Sequence, residues 1–158
     1  MTLEEALLQK LAEWRFDNGP QTLALPHPES GWTAEVKAEH ADRVGCQVEE
    51  LKLTRTGAAL TTDLKTRAER TAARVTGLLE PLRLIEVDAG RDAALLRSTA
   101  PQKRGDDLYY YEVELKTGGD AGVHRYQAST TGGMRQQIAF PLTHEALAKV
   151  AGDLTADV

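Results

Sequence analysis

Three arginines, Arg67, Arg70 and Arg74, recur at i, i+3 and i+7 in a stretch whose apolar residues also follow helical spacing. That spacing lines up three guanidinium groups along one edge of a helix, where planar forks can take carboxylates or phosphates in bidentate fashion. Positive charge concentrates in this part of the chain. Residues 64–104 carry 9 Lys+Arg against 5 Asp+Glu, whereas residues 1–63 carry 6 against 11 and residues 105–158 carry 4 against 8. Lys103 and Arg104 extend the basic segment into a polar loop, and Tyr110 and Arg125 follow in the next two strand-like runs. Arg67, Arg70, Arg74, Lys103, Arg104, Arg125 and Tyr110 are therefore the candidate contacts for a small anion or an acidic partner. The alternative is a solvated helix edge, paired with the acidic remainder of the protein or of a second subunit.

Other reactive residue types lack the company that chemistry needs. His27, His40, His124 and His144 are scattered, none at a ligand spacing from another histidine or from Cys46, so no metal is implied. His124 falls on a predicted apolar strand face, where a backbone carbonyl would partner it. Cys46 follows Gly45 in a strand-like run without an activating base or helix start, and reads as a small buried apolar group. Ser30, Ser98 and Ser129 lack the Gly-x-Ser-x-Gly frame of an activated serine. Gly118-Gly119 and Gly132-Gly133 sit where hairpins must turn and are not followed by Gly-Lys-Ser/Thr, so turn chemistry accounts for them. Glu112 and Glu114 share a strand face, which reads as a solvated one. No catalytic residue and no cofactor is assigned, and the reading leans away from an enzyme.

The elements that must position these residues are legible in the patterning. Leu3, Leu7, Leu11 and Trp14 make a helical stripe over 3–16, opened by a Thr2/Glu5 capping box and stopped at Asn18-Gly19-Pro20. Thr22–Leu25 is a short apolar run, Trp32–Ala38 alternates as a strand, and Val44–Thr54 is its hairpin partner with a bulge near Glu49-Glu50. Leu60, Leu64, Ala68, Thr71, Val75 and Leu78 predict the longest helix, ending at Pro81. Leu82–Val87 and Ala93–Arg97 are apolar at nearly every position, which predicts central strands buried on both faces. Leu108–Lys116 alternates with Tyr109, Tyr111, Val113 and Leu115 on one face. With Gly119-Asp120 as a two-residue loop, Leu115 faces His124, Val113 faces Tyr126, Tyr111 faces Ala128, Glu114 faces Arg125 and Glu112 faces Gln127. A three-residue turn then sets Arg135–Phe140 against the same strand, Tyr126 opposite Ile138 and His124 opposite Phe140. Thr143 caps a last helix carrying Leu147, Val150 and Leu154, and Thr155–Val158 frays.

The order predicts an α+β fold: a meander of about five antiparallel strands in the C-terminal half, an N-terminal hairpin, and three helices packed on one face. At 158 residues, 41% hydrophobic and 27% charged, residues 1–158 read as one soluble globular domain. A net charge of -5 and a pI near 5.4 argue against nucleic acid and anionic membranes as partners. The acidic N-terminus, the absence of a long apolar run and the single cysteine give a cytoplasmic expectation.

The leading expectation is a non-enzymatic binding or interaction module for a protein or peptide, or for a second copy of itself, working through the sheet face or a sheet edge. One rival is a small-anion-binding protein or enzyme with a pocket between sheet and helices, built from Arg67, Arg70, Tyr110 and Arg125. Another is a dimerising assembly component. In outline, a small acidic α+β chain opening on an amphipathic helix resembles peptide-binding secretion chaperones, and that resemblance implies a peptide-binding role.

Overall fold

The computed structural model describes residues 1–156. Its elements run α1 (Leu3–Glu13), β1 (Gln21–His27), β2 (Trp32–Ala41), β3 (Gly45–Arg55), α2 (Leu64–Arg74), β4 (Leu82–Asp88), β5 (Ala93–Ser98), β6 (Gln102–Arg104), β7 (Asp107–Lys116), β8 (Ala121–Ser129), β9 (Gln136–Ile138), β10 (Phe140–Thr143) and α3 (His144–Leu154). The ten strands form one antiparallel sheet in the order β1-β2-β3-β8-β7-β5-β4, so the N-terminal strands and the C-terminal meander join where β3 meets β8. Short β6, β9 and β10 pair with β7, β8 and β3. The fold is α+β, as the patterning predicts.

Each helix is amphipathic and stands on a capping side chain. Thr2, Asp63 and Thr143 accept from the backbone N–H of Glu5, Thr66 and Ala146, satisfying groups that a helix start leaves open. Leu3, Leu7 and Leu11 of α1 and Leu147, Val150 and Leu154 of α3 join Trp32, Val36, Leu51, Leu53, Val113, Leu115 and Leu96 in one apolar core on one side of the sheet. The bulge falls where the phase shift puts it: Lys37 pairs Glu50 and Ala38 pairs Val48, leaving Glu49 as the extra residue.

Five expectations about the fold are corrected. First, α2 is 11 residues, no longer than α1 or α3. Asp63 starts it and Leu60 belongs to a loop, where its N–H donates to Gly118 O at 2.8 Å. Second, β4 is not central. It ends the sheet, with Ile85 and Val87 exposed, while β5 beside it is mostly buried.

Third, the β7–β8 register differs by three residues: Leu115 pairs Ala121, Val113 pairs Val123, Tyr111 pairs Arg125 and Glu112 pairs His124. The loop is Thr117–Gly119, closed by Lys116 N–H to Asp120 O at 2.8 Å. Tertiary contacts select it. Asp120 Oδ1 accepts from the Arg55 backbone N–H at 2.8 Å. Gly119, at φ 141°, lies where a Cβ would come within 2.8 Å of Arg55 Cβ and 3.2 Å of the Trp32 ring. An odd shift inverts β8, so Ala121, Val123 and Arg125 face the core while His124 and Tyr126 face away.

Fourth, Arg135–Phe140 is not one strand. β9 pairs Arg125 with Ile138, and the chain then crosses to β3, where Phe140 pairs Val48. Fifth, at the C-terminus Thr155 is buried and donates to Ala151 O at 2.9 Å rather than fraying; Asp157 and Val158 lie outside the described residues.

Candidate functional site

The helices and the core occupy one side of the sheet, and the other side carries a cavity of about 530 Å³. Strand alternation aims its walls: Tyr110, Glu112 and Glu114 from β7, His124 and Tyr126 from β8, and Leu95 and Arg97 from β5 all point to this face. Arg135 reaches it from the loop before β9. Gly132 and Gly133 in that loop hold φ of 108° and 102°.

Glu112 is the centre of the array and only 4% exposed. Its Oε1 accepts from Arg97 Nη2 at 2.7 Å and Nε at 3.2 Å, and from Arg135 Nη1 at 2.5 Å. Each guanidinium also covers an aromatic ring, Arg97 over Tyr110 at 5.0 Å and Arg135 over Tyr126 at 3.8 Å. Partial burial works against the Arg135 charge, but hydrogen bonds to Glu112 and Tyr110 outweigh it and its pKa rises. Burial likewise raises the Tyr126 hydroxyl, partly opposed by the Arg135 charge. On the rim, His124 Nε2 lies 2.6 Å from Glu50 Oε2, a carboxylate partner where the sequence suggests a backbone carbonyl. Glu112 itself is a correction: it is held under two arginines, whereas Glu114 on the same face is exposed as expected. The cavity is also lined by Glu86 and Asp88 from β4, by Glu114 from β7, and by Arg91, whose Nε lies 3.6 Å from Asp88.

The sequence-derived candidates do not converge on one place. Arg67 is 2% exposed and donates to Gly119 O at 2.6 Å, Lys116 O at 3.3 Å and Leu154 O at 3.5 Å, so it ties α2 to the β7–β8 turn and to α3. A solvated position for it is therefore corrected. Arg70 is exposed and Arg74 donates to Asp153 O at 3.3 Å. Lys103 and Arg104 are exposed on β6, with Arg104 over the Tyr109 ring at 5.8 Å. Arg125 faces the helices, 8% exposed, pairing Glu80 at 3.0 Å and Gln102 at 3.3 Å and lying 4.3 Å from the Tyr111 ring centre. Of the seven, only Tyr110 lines the outer cavity.

Sequence reasoning misses Arg97, Glu112, His124, Tyr126 and Arg135 as a group. Arg97 left a signal, a charge inside an otherwise apolar strand, and Arg135 follows a Gly-Gly turn. The wrong β8 face hid the rest. Among the described residues no three metal-ligating side chains are grouped to hold an ion, and no helix is long and apolar enough to cross a membrane. Compared with protein-family models, with curated proteins and with solved structures, the chain matches none.

Proposed function

We propose that this protein is a binding module that docks a peptide or protein segment on the helix-free face of its sheet. The observation that carries the reading is the Arg97–Glu112–Arg135 array, stacked on Tyr110 and Tyr126 at the wall of the outer cavity. Tyrosine and arginine are enriched among the few residues that dominate binding energy where proteins meet. Here their geometry is already fixed by a buried carboxylate, so little rotamer freedom remains to be lost on binding. The cavity lining mixes the arginines Arg91, Arg97 and Arg135 with the carboxylates Glu86, Asp88 and Glu114. A segment carrying both acidic and basic side chains matches that mixture.

The test is selection from a displayed random-peptide library against the wild-type protein and against Arg135→Glu. Peptides of mixed charge should be enriched on the wild type and lost on the variant, while Arg70→Gln, remote from the cavity, retains them. Equal recovery on wild type and Arg135→Glu would refute the reading. A second reading, acid–base chemistry or small-anion binding, is favoured by the His124–Glu50 pair at 2.6 Å on the rim. It would be distinguished by an anion panel in thermal shift, with stabilisation that disappears in His124→Gln.

A further inference from the structure

We propose that β4 is a docking edge for a second copy of this chain, paired antiparallel so that Arg83 of each copy meets Glu86 of the other. The two ends of the sheet differ. β1 carries Pro26 within the strand and none of the large exposed apolar side chains. β4 exposes Ile85 at 37% and Val87 at 42% beside its unpaired backbone edge. Leu79, three residues before β4, is 90% exposed at φ 61°, a backbone conformation that leucine adopts only at a cost.

The register of β4 makes this edge self-complementary. Arg83 pairs Arg97 and Glu86 pairs Leu95, with the irregularity between Leu84 and Glu86. Arg97 and Leu95 point the same way from β5, so the bulge brings Arg83 and Glu86 onto one face, the face of the cavity. Arg83 sits opposite a like charge, and the Arg97 charge is already met by Glu112. Arg83 and Glu86 are both exposed, and neither has an ion-pair partner among the described residues.

A two-fold axis between Leu84 and Ile85 sets Arg83 against the partner's Glu86 and Glu86 against the partner's Arg83, both on the cavity face. It sets Leu82 against the partner's Val87 on the helix face. Sliding the strands to set Arg83 against Asp88 would place Ile85 against Glu86. Asp88 is moreover already bonded to the backbone of Gly90 and Arg91 and lies 3.6 Å from Arg91 Nε. The first register is therefore the one proposed. Because Glu86 lines the outer cavity, the second copy would bring its Arg83 to the cavity mouth.

One strand pair buries less than ~1,200 Å² in total, the range of weak and transient complexes, so the association should be seen only at high protein concentration. Sedimentation velocity of the full chain over a concentration series should show monomer and dimer in exchange. Arg83→Glu and Glu86→Arg, each alone, face like charges across the axis and should weaken the dimer at least about tenfold. Mixed in equal amounts the two variants carry matched charges and should regain wild-type association. Both sites are exposed, so Glu86→Arg should melt close to wild type, and Arg83→Glu, which replaces a like charge opposite Arg97, should be no less stable. Wild type that stays monomeric to about 1 mM, a dimer indifferent to both substitutions, or a mixture no more associated than its components would each overturn the proposal. Restoration on mixing cannot arise from a fold defect, and none of these outcomes depends on the peptide-binding reading.

Discussion

Glu112→Gln separates a structural counter-charge from an incidental surface acid. Glutamine keeps the shape and one acceptor oxygen but removes the negative charge that faces two guanidinium groups. The contact distances are 2.7 and 2.5 Å, and the Glu112 side chain is 5% exposed. Removing one partner of a fully buried pair costs ~3–5 kcal/mol, and an exposed pair contributes less than ~1 kcal/mol. This array lies between, because Arg97 and Arg135 are 35% and 41% exposed and water screens them once the carboxylate charge is gone. The expected loss is about 2 kcal/mol, which for a chain of this size lowers Tm by roughly 4–8 °C. Urea denaturation monitored by circular dichroism measures it, with the exposed Glu114→Gln as a control expected within ~0.5 kcal/mol of wild type. In a double-mutant cycle with Arg135→Gln the two changes should couple by about 1 kcal/mol. A loss below ~0.5 kcal/mol, or strictly additive changes, would refute the claim that Glu112 holds the array together.

Three other outcomes follow from burial. Val113→Asp places a carboxylate at a fully buried position between Val123 and Leu96 and should cost more than ~3 kcal/mol, read by the same denaturation; a cost near zero would invert the faces of β7. Arg67→Met should cost about 2–4 kcal/mol because Gly119 O loses its 2.6 Å donor, whereas exposed Arg70→Gln should stay within ~0.5 kcal/mol; equal effects would place Arg67 at the surface. Burial, with Asp42 adding, pushes the Cys46 thiol from 9.0 to about 11, so a thiol reagent should label it slowly until the protein unfolds. The unfolded thiol ionises first. Its stabilising contribution is therefore complete below about 9 and is lost as pH rises through about 11. Wild type measured against Cys46→Ala should lose on the order of 2 kcal/mol across that window, and a pH-independent difference would count against the burial.

The elements were legible where the signal is local. Thr2/Glu5 and Thr143 mark helix starts because capping needs only neighbouring atoms, and the β2–β3 bulge shows as a change of apolar phase between Val48 and Leu51. The place of β4 was not legible. Leu82, Leu84 and Val87 face the core side and Ile85 is the bulged residue, so a strand at the sheet end spells the same apolar run as a central one. What differs is the neighbour, and strand order is a long-range fact.

The outer array is hidden in the sequence by a parity ambiguity of β8 that has a physical origin. Two registers of β7 on β8 satisfy apolar matching about equally: one sets Val113 against Tyr126, the other sets it against Val123. They part over Arg125. In the second register it faces the core, which is unfavourable for a lone charge and argues from the letters alone for the first. The fold removes that objection from a distance, with Glu80 at 3.0 Å, Gln102 at 3.3 Å and the Tyr111 ring around the guanidinium. Once Arg125 is accommodated inside, Glu112 falls opposite His124 and Tyr110 opposite Tyr126, and Arg97 and Arg135 close over the carboxylate. The partner that neutralises Arg125 on the core side is therefore what permits the tyrosine and arginine array on the other.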